Sequence, residues 1–135
     1  MSENIVLVTG NFNVLHAGHM RLFRFAKGCG DRLLVGVNSD KIAGKAVYIP
    51  QQFRLDGVKN NILVDDAFLL DEKITDLIAR LRPNIIIKGK EHENALNPER
   101  DVLEQYGGRL LFSSGEAVLS SSDFLIKEML QRLKV

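Results

Sequence analysis

The chain has 135 residues, 45% of them hydrophobic, and no Pro-, Gly- or Ser-rich stretch divides it, so a single domain over residues 1–135 is expected. Its 18 basic and 17 acidic side chains leave a formal net charge of +1, which excludes the broad basic face that holds nucleic acid and requires any phosphate to be gripped locally. One cysteine, Cys29, excludes an internal disulfide or multi-cysteine zinc site, and no apolar run suffices for a signal peptide or membrane span, so a soluble cytoplasmic protein is expected.

Five short apolar runs read as strands: Asn4 to Thr9, Arg32 to Asn38, Ala67 to Leu70, Asn84 to Lys88 and Arg109 to Ser113. Most lack in/out alternation, as befits strands covered on both faces of a parallel sheet. Helical patterns lie between them. His19 to Lys27 lines up Leu22, Phe23 and Ala26, and Asp71 to Leu81 lines up Ile74, Leu77, Ile78 and Leu81 before Pro83 stops it. Asn97-Pro98-Glu99 reads as a cap, a first-position proline and an early acid, with Gly107-Gly108 closing that helix. A last helix opens at Ser121 or Ser122 and runs to about Lys134. Alternating strands and helices predict a doubly wound, mostly parallel five-stranded α/β sheet, with ligands beyond the carboxyl ends of its strands.

The first strand breaks into Gly10-Asn11-Phe12-Asn13-Val14-Leu15-His16-Ala17-Gly18-His19. Histidines three residues apart lie on one side of a helix, and a helix start adds unpaired N–H groups and a partial positive charge. The chemistry suits a phosphate. Gly10 is expected to let the chain turn at the strand's end, and Gly18 to let a bulky ligand approach the backbone between the imidazoles. Two other readings are a capping histidine with a second on the surface, and a two-histidine metal site; zinc on a helix usually takes a four-residue spacing and a further ligand, and His92 is the only other histidine.

Read as Gly-x-Phe-Asn-x-x-His-x-Gly-His, with a strand before it and a helix after it, this segment resembles the signature of the cytidylyltransferase-like nucleotidyltransferases. The resemblance implies a Rossmann-like fold and transfer of a nucleoside monophosphate onto a small phosphorylated acceptor. It implies nucleotide contacts from Thr9, Gly10, Asn11, Phe12, Gly18 and His19. Asn13 stands where these enzymes commonly carry aspartate, keeping its size and one acceptor oxygen but not its charge; it is read as a tolerated change.

Three further segments carry the resemblance. Lys88-Gly89 matches a lysine-glycine that reaches phosphate, although a lysine at a strand end is also simply where a chain meets water. Lys90-Glu91-His92-Glu93 departs from the usual glycine-aspartate-aromatic continuation. Ser120, Ser121 and Ser122 resemble a serine-threonine-threonine run whose hydroxyls and free N–H groups hold a triphosphate's outer oxygens; an ordinary cap explains one of the three. Arg54 matches an arginine placed early in the helix after the second strand, where a guanidinium grips phosphate by two parallel hydrogen bonds. Lys45, in a shorter loop than the family's, is carried over as facing the acceptor phosphate.

The expected reaction is attack of an acceptor phosphate oxygen on the α-phosphorus, with pyrophosphate leaving. His16, His19, Lys88 and Arg54 are the catalytic candidates, and Mg2+ enters with the triphosphate, no protein metal site being expected. The likeness is closest to the heptose 1-phosphate adenylyltransferase domain, on His16-Ala17-Gly18-His19 and Gly30 to Asp40. That points to ATP and a sugar phosphate, a homodimer and a fused or cooperating sugar kinase, with no nucleic-acid or membrane partner. Ser113-Ser114-Gly115-Glu116 stands where CDP-glycerol-forming enzymes usually carry arginine-threonine, which weighs against CTP and a polyol phosphate such as glycerol 3-phosphate. A third reading is a nucleotide-binding regulatory module without turnover.

Overall fold

The computed structural model describes residues 3–113; the expected final helix and the Ser120 to Ser122 run lie outside them. Five strands, β1 (Ile5–Gly10), β2 (Arg32–Asn38), β3 (Asp66–Leu70), β4 (Ile85–Gly89) and β5 (Arg109–Ser113), form one sheet in the order β3-β2-β1-β4-β5. Every pairing is parallel. Between the strands run α1 (Ala17–Lys27), α2 (Asp40–Ala43), α3 (Gln51–Lys59), α4 (Ile74–Leu81) and α5 (Glu99–Glu104).

Alternate side chains of each strand feed different layers. Val6, Val8, Leu33, Val35, Val37 and Ile87 pack with Phe23 and Ala26 of α1 and Val58 of α3. Leu7, Leu34, Leu70 and Ile86 pack with Leu77 and Ile78 of α4 and Leu103 of α5. Helices on both faces explain why the strands read as continuous apolar runs. No helix among the described residues is long and apolar enough to cross a membrane.

The strand bounds match expectation to within a residue; the helices differ more, and for identifiable reasons. α1 begins at Ala17 because the His16 ring caps it. α4 begins at Ile74 and not at Asp71, because the Asp71 carboxylate accepts from the Ser39 hydroxyl at 2.7 Å. The short α2 was not expected; Ser39 starts it by accepting from the Ile42 N–H at 3.2 Å. Asn97 does not cap α5, whose first residue follows Pro98. Its amide donates to the carbonyls of His92 and Ala95, both at 2.9 Å.

Strand order reverses between β1 and β4, the place where a doubly wound sheet opens a crevice at its carboxyl rim. The β1–β4 pairing, Val6 with Ile85 and Leu7 with Ile86, lies toward the amino-terminal part of both strands, and their ends at Gly10 and Gly89 point to the carboxyl rim.

The turn before β2 is closely packed at Gly30: a Cβ there would lie 2.7 Å from the Asn4 carbonyl oxygen, which accepts from the N–H groups of Asp31 and Arg32. Gly28, in ordinary helical conformation, has only 3.4 Å contacts at the same test. Urea denaturation should therefore show Gly30→Ala destabilised by about 1–3 kcal/mol, and Gly28→Ala within about 1 kcal/mol of the parent.

Candidate active site at the β1–α1 turn

The turn is built around a buried aromatic ring. Phe12 has φ 54, the left-handed region that costs a bulky residue about 1–3 kcal/mol unless its surroundings fix it. They do. Its ring lies 5.7 Å from that of Phe23 and edge-on to His19 at 5.3 Å. A Cβ on Gly10 would sit 3.0 Å from the Phe12 ring, so Gly10 makes room for the aromatic while remaining in β1. The turn expected at Gly10 is made by Phe12 instead, in the left-handed region.

His16 and His19 cap α1 reciprocally. The His16 Nδ1 accepts from the Gly18 N–H at 3.0 Å, and the His19 Nδ1 accepts from the His16 N–H at 3.2 Å. The ring centroids are 3.9 Å apart. Because both Nδ1 atoms accept, the ring N–H of each imidazole falls on Nε2, which the cap does not use. The capping reading of His16 and the phosphate reading thus use opposite nitrogens. Gly18 does not hold space for a ligand: a Cβ there would meet His16 Cε1 at 2.8 Å. Burial first, and the neighbouring His16 second, hold the His19 pKa below the usual histidine value.

Arg54 corrects an expectation. It is 2% exposed, and its guanidinium is spent on the protein. Nε donates to the Ile49 carbonyl, Nη1 to the carbonyls of Asn11 and Asn38, and Nη2 to Asp40 Oδ1, all at 2.7 Å. It ties the ends of β1 and β2 together, so the expected two-pronged grip on a phosphate is replaced here by carbonyl and carboxylate partners of the protein itself. Asn38 adds a 2.8 Å bond to the Asn11 side chain.

Lys88 is also placed differently from expectation. It follows Ile87, which packs in the α1 layer, and so turns to the α4–α5 face. There its ammonium meets Asn97 at 2.7 Å and the buried Glu99 at 3.2 and 3.4 Å. The histidines and Lys88 share the carboxyl rim but lie on opposite sides of the sheet. Thr9, Asn11 and Gly89 reach the same rim; Lys45 stands exposed in the turn Gly44–Ala46.

Sequence reasoning missed Asn13 as an organiser. Its side chain bonds the Ala46 carbonyl and the N–H groups of Tyr48 and Ile49. An amide where a carboxylate is usual was the available signal. Asp40, the partner of Arg54, was equally unmarked. Among the described residues no three His, Cys, Asp or Glu side chains gather to hold a metal ion.

The cytidylyltransferase-like family matches residues 7–123. The bifunctional protein HldE of Syntrophotalea carbinolica is 32% identical over 114 residues, 80% of this chain and 23% of that protein. That of Streptomyces coelicolor is 35% identical over 112 residues, 78% and 24% respectively. The chain thus spans about a quarter of the length of these relatives. The crystal structure of the lipopolysaccharide core biosynthesis protein from Thermoplasma volcanium has a TM-score of 0.73 at 25% identity, covering 84% of this chain and 98% of that one.

Two outcomes follow from this geometry. Arg54→Ala would leave three part-buried carbonyls and Asp40 without this partner and empty the buried space of the side chain, so chemical denaturation should show a loss of about 3–5 kcal/mol. Protonating His19 requires its Nδ1 to give up the His16 N–H. A folded pKa below 6.5 means the unfolded chain binds the proton first, so this contribution to stability is complete above pH 6.5 and declines as pH falls through the folded value. Urea midpoints across that range should fall in the parent and fall less in His19→Asn.

Proposed function

The chain belongs to the cytidylyltransferase-like family, and from that premise we propose that it transfers AMP from ATP to a sugar phosphate such as a heptose 1-phosphate, releasing pyrophosphate. The observation that carries the reading is the reciprocal Nδ1 cap of His16 and His19 at the start of α1, which reserves both Nε2–H groups as donors beside the point where the strand order reverses. The names of the relatives, HldE and a lipopolysaccharide core protein, favour a sugar phosphate over a polyol phosphate.

In this reading an acceptor phosphate oxygen forms a bond to the α-phosphorus while the bridging P–O bond to the β-phosphate breaks, its electron pair leaving with pyrophosphate. A phosphate monoester has its second pKa near ~6, so the nucleophile is already ionised at neutral pH. No general base is required. That agrees with two imidazoles whose Nδ1 atoms are taken by the cap, so that the nitrogen left to each is a donor and not an acceptor. His16 and His19 stabilise charge as it builds on the α-phosphate oxygens. Asn11 and the N–H groups of the turn orient the nucleotide, Lys45 meets the acceptor phosphate, and Ser120 to Ser122 hold the outer phosphates. Arg54 acts as a positioning residue under the turn, and Lys88, through Asn97 and Glu99, positions the segment after Gly89.

Mg2+ entering with the triphosphate would supply positive charge to the pyrophosphate leaving group. The relatives are called bifunctional and are about three and a half times as long, which supports a fused or cooperating second activity; in this reading it is a sugar kinase that supplies the phosphate ester, and both work in the cytoplasm.

The test is pyrophosphate release from each nucleoside triphosphate with Mg2+ and a panel of sugar and polyol phosphates. ATP with a sugar 1-phosphate should turn over. His16→Ala and His19→Ala should each lose about 100- to 1,000-fold in kcat. Turnover with CTP and glycerol 3-phosphate would replace the substrate assignment; triphosphate binding without pyrophosphate would replace the enzyme with a regulatory module.

A further inference from the structure

The segment from Gly44 to Pro50 leaves the rim and returns to it with little regular structure of its own. Gly44 turns it at φ 59, a short helical turn carries Lys45, and Tyr48 is 74% exposed. Such a segment must satisfy its backbone groups elsewhere or leave them to water. Here one side chain from another part of the chain does this. The Asn13 Nδ2 donates to the Ala46 carbonyl at 2.9 Å, and Oδ1 accepts from the Tyr48 N–H at 3.1 Å and the Ile49 N–H at 3.4 Å. Asn13 is three residues before the capping His16, and Ala46 is next to Lys45. Arg54 pins the same segment from beneath, through the Ile49 carbonyl.

We propose that Asn13 is a positioning residue that clamps residues 44–49, and with them Lys45, against the β1–α1 turn, and that the clamp requires a carboxamide. Only an amide can donate to Ala46 with one end while accepting from Tyr48 and Ile49 with the other. A carboxylate has no proton for Ala46 and sets an anionic oxygen against that carbonyl. The amide also keeps negative charge away from the approach to Lys45. The amide at position 13 is therefore a working part of the site and its exchange for aspartate is not neutral. On the reading of the site given above, from which this inference takes the acceptor, the clamp sets where the acceptor's phosphate is met.

The decisive variant is Asn13→Asp, which has nearly the same shape. In the intact chain at neutral pH, amide hydrogen exchange should accelerate about tenfold or more at Tyr48 and Ile49, while the amides of β1 and β2 keep their protection. In turnover assays the KM for the acceptor should rise about tenfold, while the KM for the triphosphate changes less than threefold. Lys45→Ala should raise the acceptor KM in the parent and add little in the Asn13→Asp background, because the lysine is already displaced there. Unchanged exchange at Tyr48 and Ile49, or effects of the two substitutions that simply multiply, would overturn the proposal. The exchange measurement needs no turnover. If the parent proved inactive on every acceptor, the functional reading would fail while the clamp was still decided by exchange.

Discussion

A buried guanidinium organises the rim of this protein. Arg54 reaches from α3 to the carbonyls of Asn11, Asn38 and Ile49 and to the Asp40 carboxylate, joining the ends of β1 and β2 to the segment that follows α2. Burying a positive charge is tolerable only when it is paired and hydrogen-bonded, and Arg54 has the Asp40 carboxylate and partners at 2.7 Å for four of its five N–H donors. Because the acceptors come from three stretches of chain, at Asn11, at Asn38 and Asp40, and at Ile49, the turn bearing His16 cannot shift without disturbing the end of β2. Rigidity at the rim comes from this charge as much as from the apolar layers below it.

The two sides of the sheet divide the work. On the α1 side, Phe12 and Phe23 set the floor on which His19 rests, so the orientation of the imidazoles is fixed by core packing and by the helix cap together. On the α4–α5 side, Lys88, Asn97 and Glu99 form a polar cluster that holds the chain after Gly89. Both arrangements end at the place where neighbouring strands diverge, and parallel strands bring their carboxyl ends there irrespective of distance in sequence.

The sheet was legible in the sequence because both-face burial leaves apolar runs that cannot be mistaken for amphipathic helices, and the strand bounds of Arg32–Asn38 and Arg109–Ser113 coincide with the runs. The position of the histidines was legible too, through the glycine and histidine spacing that a strand-to-helix turn imposes. What the spacing could not disclose was where polar side chains spend their hydrogen bonds. Arg54 and Lys88 have the chemistry of phosphate ligands, yet carbonyls and carboxylates brought near by the fold occupy them. Gly10 and Gly18 were recognised as necessary for the wrong reason: each accommodates a ring of the protein itself, Phe12 in one case and His16 in the other. Asn13 looked like a conservative exchange because its partners lie 33 to 36 positions further on.

If the turn binds a phosphate as proposed, the proton on each Nε2 also sets how that phosphate is released. Neutral rings attract an anion through bond direction and not through net charge, so their hold weakens steeply once the oxygen they face moves out of line. A cationic pair would continue to pull on a departing polyanion across several ångströms. A grip made of aligned dipoles favours capture and quick release from the same spot.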